Sequence, residues 1–328
     1  MIAIVIVNYN GWRDTIECLD SLSRLEGGDW RIIVVDNGSH DGSVKQLEDW
    51  GASTAAALHV LDSSESVHAL PRAGVTLIGS NDNLGFAGGN NVGIRHALND
   101  PACTHVWLLN NDTVVEKSAG LALLHRIQSD DRVGIVGSTL AYYHQPDRLQ
   151  GVGFAYNIYA ATGRQLGHMR MVTDLPAQME VEAQMTYVIG ASMMVSRAFL
   201  EAVGFMSERY FLYFEELDWA VRARGKYRLA WAPASLVYHK EGGSIGTSTT
   251  SRPSDLSTFY MTRNLPVFYW TFFPALMPVA IARLAFNMFR FVLRRDWAAW
   301  TAAARGLFSL TQKIPPERPP HTLFDWKR

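Results

Sequence analysis

The chain has 328 residues, of which 48% are hydrophobic and 19% are charged. This profile is typical of a globular protein with one large domain, or one domain with an appendage. The formal net charge of −1 argues against a nucleic-acid-binding protein. The charge is uneven, because residues 261–328 contain ten Lys or Arg and three Asp or Glu, a balance of +7 that leaves −8 for the rest. A basic C-terminal segment indicates contact with a membrane surface or an acidic partner.

The N-terminal stretch MIAIVIVNYN lacks the basic region and the cleavage site that mark a signal peptide. Its apolar run, Ile2 to Val7, has the length and β-branched content of a strand covered on both faces. The two cysteines, Cys18 and Cys103, have no metal-site spacing and suggest no disulfide framework. A reducing compartment is therefore expected.

Strand and helix patterns alternate through the first half of the chain. Apolar runs of strand length are separated by segments with apolar residues at helical spacing. The predicted strands are Ile2–Val7, Arg31–Val35, Val75–Gly79, Thr104–Leu109 and Val133–Val136, and the predicted helices are Gly11–Leu25, Phe86–Leu98 and one that opens near Glu116. This alternation predicts an α/β fold with a Rossmann-like, mostly parallel central sheet flanked by helices.

Two regions depart from this alternation. The stretch from Trp50 to Gly74 is rich in Ala, Ser and His and is predicted to be a surface insertion. The second half is less regular. There, Gly190–Val195 predicts a strand, Phe211–Arg224 predicts a loop that enters a helix, and Arg228–His239 contains strand-like runs broken by Pro233.

Polar clusters follow the first four strands of the predicted sheet. Each cluster alone would suit a tight turn, because Asn, Asp, Gly and Ser all favour turns. Ligands in an open α/β sheet bind beyond the carboxyl ends of the strands, so four clusters on one rim favour a binding site. The clusters are Asn8-Tyr9-Asn10, Asp36-Asn37-Gly38-Ser39, NDNLGFAGGNN (residues 81–91) and Asn110-Asn111-Asp112.

The residue types in these clusters fit a nucleoside diphosphate and a divalent cation. Asp36 can accept a hydrogen bond from a nucleobase imide or a ribose hydroxyl. Gly85, Gly88 and Gly89 permit close backbone approach at the start of a helix, whose amino end favours an anion. Asp112 is a hard oxygen ligand, and Mg²⁺ is usually held by one or two carboxylates together with substrate phosphates.

Five segments, in this order, resemble glycosyltransferase family 2, which has the GT-A fold: VNYN, VVDNGSHDGS, NLGFAGGNNVGI, LLNNDTVV and FEELDWAVRARG. The resemblance covers about residues 2–265 and is strongest to rhamnosyltransferase-like bacterial members that build cell-surface polysaccharides. It implies a GT-A domain at 1–260 and a C-terminal helical appendage at 261–328. Residues 1–115 would form the nucleotide-binding half and residues 116–260 the acceptor and catalytic half.

The resemblance also implies roles for residues at the rim. The nucleoside pocket is expected to contain Asn8, Tyr9 and Asp36, and the donor is expected to run along Asn83, Gly88, Asn91 and Asn111. The sequence Asn110-Asn111-Asp112 stands where the family often has Asp-x-Asp. Asp112 keeps the metal-ligand position, while Asn110 supplies no charge. His239 resembles the histidine that completes the family's metal site, with a purely structural role as the alternative.

A second carboxylate cluster comprises Glu215, Glu216 and Asp218. The family usually has Glu-Asp here with Asp as general base, so the resemblance gives that role to Glu216, whose side chain is one methylene longer. Crowded carboxylates raise one another's pKa, which suits a base that works near neutral pH. The alternative is an acidic first turn stabilised by the helix dipole, with Asp218 pairing Arg222 at i,i+4.

Together these features imply a metal-dependent, inverting glycosyltransferase that uses Mg²⁺ or Mn²⁺. The expected donor is a dTDP- or UDP-linked sugar, with rhamnose favoured, and the expected acceptor is a saccharide or a polyprenyl-linked saccharide. The alternatives are a sugar-nucleotide nucleotidyltransferase and a non-catalytic sugar-nucleotide-binding protein. The first would usually carry a basic, Gly-rich loop near the N-terminus, and the second would be expected to lose the carboxylate cluster.

The C-terminal segment has a membrane-like pattern. Val267–Ala282 is uncharged but, at sixteen residues, shorter than the roughly 20 residues of a membrane span. The following helix is predicted to carry Arg283, Asn287, Arg290 and Arg294 on one face and Leu284, Met288, Phe291 and Val292 on the other, before Trp297 and Trp300. This pattern predicts a helix that lies in a membrane interface, with packing on the protein's own core as the alternative. The expected location is the cytoplasm, at the inner face of the cell membrane. From Pro315 the chain is predicted to be loosely ordered.

Overall fold

The computed structural model describes residues 1–54, 58–62, 74–240 and 253–310. The chain forms two compact units. The sheet unit comprises Met1–Tyr156 and Thr162–Arg252, and the helical unit comprises Asn157–Ala161 and Pro253–Arg328. The predicted loose segment from Pro315 lies outside the described residues.

The described strands are β1 (Ile2–Asn8), β2 (Trp30–Asn37), β3 (Leu58–Asp62), β4 (Val75–Ser80), β5 (His105–Asn110), β6 (Thr113–Val115), β7 (Val133–Tyr142), β8 (Gln145–Gly151), β9 (Phe154–Asn157), β10 (Thr162–Gln165), β11 (Ser192–Ser196) and β12 (Arg228–His239). The described α-helices are α1 (Trp12–Leu22), α2 (Ser43–Ser53), α3 (Gly85–Leu98), α4 (Ala119–Gln128), α5 (Gln178–Gln184), α6 (Arg197–Val203), α7 (Glu215–Ala223), α8 (Asp255–Phe272), α9 (Met277–Leu293) and α10 (Trp297–Ser309).

Across the described part of the chain, the main sheet has the order β3-β4-β2-β1-β5-β11-β7-β12-β6, with β8 paired to β7. The pairs from β3 to β5 are parallel. Strand β11 is antiparallel to both β5 and β7, whereas β12 is parallel to β7 and antiparallel to β6. The predicted α/β fold with a mostly parallel sheet is confirmed.

Both faces of the sheet are covered by helices, which explains the unbroken apolar run of β1. Alternate side chains of a strand point to opposite faces. Ile4 packs on one face in a cluster that includes Leu19 of α1, and Val5 packs on the other in a cluster that includes Ile94 of α3. Because neither face meets water, no polar residue alternates with the apolar ones.

Part of the predicted surface insertion is a strand of the sheet, so that prediction is wrong for these residues. Leu58–Asp62 pairs in parallel with β4, with Leu58 opposite Val75. Five residues at the edge of a sheet leave too short a pattern to be distinguished from a loop. Residues 55–57 and 63–73 of the predicted insertion lie outside the described residues.

Strand β12 runs through Pro233 instead of breaking there. Its register against β7 shifts between Ala232 and Leu236. Pro has no N–H to donate to a sheet, and such an irregularity is one of the places where a strand tolerates it. The uninterrupted strand carries His239 to the end of the sheet.

Over its described residues, the helical unit comprises the helices α8, α9 and α10 and a short 3₁₀ turn at Pro274–Leu276. Helices α8 and α10 pack closely, because a Cβ at Gly306 would lie 2.6 Å from the carbonyl oxygen of Phe259. By length and composition, Pro274–Leu293 could cross a membrane: it has 20 residues with a mean hydropathy of 1.5, and 11% of it is buried.

Candidate active site

The carboxyl ends of β1, β2, β4 and β5 form the rim of the sheet, and the predicted nucleoside residues meet there. Asn8 of β1 lies opposite Asp36 of β2. The Asn8 side chain donates to Asp36 Oδ1 over 2.7 Å, and the Ser39 backbone donates to Asp36 Oδ2 over 3.1 Å. A carboxylate has about four acceptor sites, so this buried Asp36 can still accept from a ligand. Tyr9 is half-buried beside this pair and meets the His40 ring edge-on at 5.9 Å.

Thr15 of α1 connects the ends of β1 and β5, a role that no sequence pattern indicated. Its hydroxyl donates to Asn8 Oδ1 over 2.8 Å. The Asn111 amide donates to the same hydroxyl over 3.1 Å and to the Gly11 carbonyl over 3.3 Å. Asn8 and Asn111, both predicted to contact the donor, are thus fixed by one buried hydroxyl.

The amino end of α3 is occupied by acceptors from the protein itself. The N–H groups of Leu84, Gly85 and Phe86 donate to Asn37 Oδ1, Asn83 Oδ1 and the Phe211 carbonyl over 3.1, 2.9 and 2.7 Å. The expectation that this helix end binds an anion is therefore not met at these three groups. Asn83, predicted to lie along the donor, instead caps the turn before α3.

Gly88 and Asn91 serve packing, not an open groove. A Cβ at Gly88 would lie 2.6 Å from Leu84 Cβ. Asn91 is 1% exposed, and its amide bonds the Met206 backbone in both directions, over 2.9 and 3.1 Å, as well as Glu208. Both residues were predicted to lie along the donor. In the structure, the face of α3 that carries them is buried.

Asp112 and His239, both predicted to be metal ligands, form a buried pair. Strand β12 brings His239 opposite Thr113, beside Asp112. Asp112 Oδ1 lies 3.1 Å from His239 Nε2, and His239 Nδ1 lies 2.9 Å from Gln150 Oε1. Asn110 Nδ2 is 3.4 Å from the same Nε2. A histidine whose Nδ1–H is donated to Gln150 leaves Nε2 as an acceptor.

Glu216 lies against Gly190, two residues before the start of β11. A Cβ at Gly190 would overlap Glu216 Oε1, and the Phe86 ring lies 3.1 Å from the same position. Burial raises the pKa of Glu216 to about 7, although the backbone N–H groups of Glu216 and Gly190 favour the ionised form. This carboxyl group therefore exchanges its proton near neutral pH.

The two other predicted carboxylates differ from Glu216. Glu215 is 2% exposed, and its Oε2 has no hydrogen-bond partner among the residues that the structure describes. Burial, and next the charge of Glu216, raise the pKa of Glu215 well above its usual value. Asp218 accepts from Arg222 Nε over 2.6 Å and from the Tyr210 hydroxyl over 3.0 Å. Asp218 thus anchors α7, which agrees with the alternative weighed for it.

The segment that contacts Glu216 also bonds to the strand end that precedes Asp112. The Asn110 N–H donates to the Ala191 carbonyl over 2.9 Å. Gly190, against which Glu216 lies, is the neighbour of Ala191. Glu216 and the end of β5 therefore both contact the Gly190–Ala191 segment.

The loop before α7 is strained. Phe211, Tyr213 and Phe214 have φ angles of 62°, 66° and 76°. Side chains other than Gly rarely adopt such values, and bulky ones least of all. The Phe214 ring packs edge-on against Tyr156 and stacks on Tyr210 at 6.2 and 6.3 Å between centroids. These contacts hold the loop that delivers Glu216.

Comparison with known proteins identifies the family. The family model described as "Glycosyl transferase family 2" matches residues 3–204. The chain belongs to glycosyl transferase family 2.

Among curated proteins, the chain is similar to the low-salt glycan biosynthesis hexosyltransferase Agl10 of Haloferax volcanii. The two are 26% identical over 224 residues, which cover 68% of this chain and 61% of Agl10. The chain thus spans about three fifths of the relative it matches.

Two solved structures share the fold. The mannosyltransferase PcManGT of Pyrobaculum calidifontis, in complex with GDP-Man and Mn²⁺, aligns with a TM-score of 0.54 and 15% identity over 96% of this chain and 76% of that one. GalNAc-T7 with UDP, GalNAc and Mn²⁺ aligns with a TM-score of 0.59 and 15% identity over 86% and 51%. These glycosyltransferases have the GT-A fold, and so does the family 2 chain described here.

The residues of this family 2 rim fit a divalent cation. No group of three or more His, Cys, Asp or Glu side chains with metal-site geometry occurs among the described residues. The pair Asp112 and His239 nevertheless presents a carboxylate oxygen and a ring nitrogen 3.1 Å apart. In a neutral ring that donates its Nδ1–H to Gln150, both atoms are acceptors, so a cation between them would be favourable. Two protein ligands with substrate phosphates are a usual set for Mg²⁺.

Several residues of the candidate site carry no local sequence signal. Gln150 and Thr15 are reached only through long-range packing. Gly190 was predicted only as the start of a strand, and Gly85 only as a point of close approach. Gly85 has φ +73°, and an added Cβ would overlap the Phe211 carbonyl. Such contacts become visible only once α3 and α7 are placed.

Proposed function

We propose that the protein is an inverting glycosyltransferase that moves a sugar from a nucleoside-diphosphate sugar to an acceptor hydroxyl. The observation that carries this proposal is the placement of Glu216 at Gly190, next to the Asn110–Asp112 segment of the rim. A titratable base and a polar rim with a cation-compatible pair stand side by side. Membership of family 2 favours this function over a nucleotidyltransferase.

Glu216 acts as the general base. It accepts the proton of the acceptor hydroxyl while the oxygen attacks the anomeric carbon. The new carbon–oxygen bond forms as the bond to the nucleoside diphosphate breaks, and the diphosphate leaves with the electron pair. A single displacement inverts the anomeric centre. A pKa near 7 matches this task, because a base is most effective when its pKa lies close to the working pH.

Other residues bind and orient the reactants. Asp36, fixed by Asn8 and Ser39, accepts from the nucleoside. Asp112 and His239 would hold Mg²⁺ or Mn²⁺. When bound, the cation neutralises charge on the departing diphosphate. Gln150 orients the His239 ring, and Asp218 fixes the first turns of α7 through Arg222.

The donor is a hexose or deoxyhexose nucleotide. Similarity to a hexosyltransferase supports the hexose class, and resemblance of the ordered motifs to rhamnosyltransferase-like members favours rhamnose linked to dTDP or UDP. The acceptor is a saccharide or a polyprenyl-linked saccharide of cell-surface polysaccharide synthesis, reached from the cytoplasmic side of the membrane. A donor screen by thermal shift, with and without Mn²⁺, would identify the nucleotide and the sugar.

The Glu216→Gln variant tests the proposal. With the donor found in that screen, it should lose at least about 100-fold in turnover, in line with general-base contributions. Its donor-induced thermal shift should remain. Glu201→Gln makes the same chemical change at a side chain that is 62% exposed and should retain activity. Near-normal turnover by Glu216→Gln would remove Glu216 as the base.

A further inference from the structure

The outward side of α9 consists of apolar residues. The exposed residues of this helix are Pro278, Ile281, Ala282, Ala285, Phe286, Phe289, Val292 and Leu293. Phe289 and Leu293 are 58% and 65% exposed. A helix on the surface of a soluble domain normally turns its charged side to water. Of the four apolar residues predicted to lie on one side of this helix, Val292 is exposed, Leu284 is buried, and Met288 and Phe291 are half-buried.

Arginines border this apolar side. The guanidinium groups of Arg283 and Arg290 lie 5.8 and 5.7 Å from the centre of the Phe286 ring. Arg294 and Arg295 follow Leu293 and are exposed. Helix α9 contains no Asp or Glu. The surface is therefore apolar with a cationic edge. A partner that matches it has an apolar interior next to a layer of negative charge.

Exposed tryptophans follow the arginines. Trp297 and Trp300, at the start of α10, are 59% and 38% exposed. An indole ring has an apolar body and one N–H donor, and it prefers the level of lipid headgroups. The apolar side chains match the acyl chains of a bilayer, and the neighbouring arginines and tryptophans match its headgroups. A protein partner would not require these residue types to be grouped in this way.

The packing of the helical unit disfavours a helix that crosses the bilayer. If α9 alone crossed, α8 and α10 would lie on opposite sides of a hydrocarbon core about 30 Å thick. They pack against each other instead, at Phe259 and Gly306. A crossing would also place Arg283 and Arg290 within the hydrocarbon, which is unfavourable for charged side chains.

We infer that the outward side of α9 docks the protein on a bilayer with anionic headgroups, with the helix lying in the interface. Phe286, Phe289 and Leu293 enter the boundary of the acyl chains, and the neighbouring arginines contact the headgroups. The inference does not depend on the identity of the donor or acceptor, since it concerns only the helical unit.

Flotation of the full-length protein with lipid vesicles tests the inference. Wild-type protein should float with phosphatidylcholine vesicles that contain about a quarter phosphatidylglycerol. The double variant Phe289→Ser/Leu293→Ser should bind at least about tenfold more weakly, because two inserted apolar side chains are lost. Met179→Ser is the matched control, since Met179 in the sheet unit is 83% exposed and its loss should leave flotation unchanged.

A charge variant isolates the contribution of the arginines. Arg294→Gln should weaken binding to the phosphatidylglycerol vesicles about fivefold. Binding of this variant to pure phosphatidylcholine vesicles should equal that of wild type. Circular dichroism and the donor-induced thermal shift should match wild type for every variant, so that a change in flotation reports on the membrane surface and not on unfolding.

Three results would overturn the inference. Equal flotation of wild type and Phe289→Ser/Leu293→Ser would show that this side does not enter lipid. A wild-type dimer that ignores vesicles and becomes monomeric in the double variant, by light scattering, would assign the surface to a second copy of the chain. Protein that stays with vesicles through an alkaline carbonate wash would indicate a crossing helix.

Discussion

Glu216 shows how burial can prepare a carboxyl group for chemistry. Its pKa is raised to about 7 from an ordinary value of 4.5. Between these values the folded protein binds a proton that the unfolded chain has lost, so the stability associated with this group falls as the pH rises through about 7. Ionised Glu216 thus lowers folding stability under the conditions in which it can act as a base.

This coupling predicts opposite effects on activity and stability. The kcat/KM of the wild type should rise with pH through about 7. Glu216→Gln should lose that rise, yet its free energy of unfolding at pH 8 should exceed that of wild type by about 3 kcal/mol, and the two should converge near pH 4. Denaturant titrations at both pH values measure this. Equal stabilities at pH 8 would contradict the raised pKa.

Gly190 is expected to act through Glu216. Gly190→Ala would place a methyl group on the position of Glu216 Oε1, the end of a flexible side chain, so the carboxylate should move while the fold remains. We expect kcat to fall between about 10- and 100-fold, because small misplacements of reacting groups reduce rates by such factors. The donor KM should be unchanged.

A double-variant comparison separates this effect from a general disturbance. Added to Glu216→Gln, the Gly190→Ala change should reduce kcat no further, because the group it displaces is already absent. Additive losses in the double variant would mean that Gly190 acts independently of Glu216.

At the scale of elements, two sets of contacts hold α7: one in the loop before the helix and one within the helix. The strained segment before it, with Phe211, Tyr213 and Phe214 in left-handed conformation, is fixed by aromatic packing and by the Phe86 N–H. Within the helix, Asp218 binds Arg222, which also donates to the carbonyls of Val203 and Phe205 over 2.8 Å. Glu216 therefore stands on an element with little freedom to move.

Asp218→Asn should release this element. The variant leaves the partly buried Arg222 without its carboxylate, and loss of one partner of a buried pair lowers the free energy of unfolding by about 2–3 kcal/mol. Asp49→Asn removes an exposed i,i+4 pair with Lys45 and serves as the control, with no measurable change expected. Urea denaturation compares the two; similar midpoints would show that Asp218 is not an anchor.

The first half of the fold could be predicted because its strands are buried on both faces and its helices are amphipathic. The mixed second half could not, because β11 runs against its neighbours and β12 accommodates Pro233 through a register shift. For the candidate site, polar clusters at strand ends predicted the rim on which Asn8, Asp36 and Asp112 lie, whereas His239 was predicted only through the resemblance to the family. The roles of Gln150, Thr15 and Gly190 depend on contacts between distant segments, for which one sequence contains no periodic signal.

For the whole molecule, the proposal predicts ligand-dependent stability. In the presence of Mn²⁺, the correct nucleotide at about 100-fold above its dissociation constant should stabilise the fold by about 2.7 kcal/mol and raise Tm by several degrees. The nucleotide with EDTA, and Asp112→Asn with both ligands, should show a smaller rise. Differential scanning calorimetry measures these shifts. An Asp112→Asn curve identical to that of wild type would exclude Asp112 as a metal ligand.

The reversed direction of β11 has a consequence for how such a protein can diversify. In a purely parallel sheet, only loops that leave the strands reach the rim. Because β11 runs the other way, Gly190 and Ala191 enter the sheet at that rim, with Ser192 already opposite Leu109 of β5. The segment before β11 can therefore change in length or in side-chain size beside Glu216, while β1 and β2, which carry Asn8 and Asp36, keep their register. Selectivity for the incoming partner and recognition of the nucleotide can then evolve on separate stretches of chain.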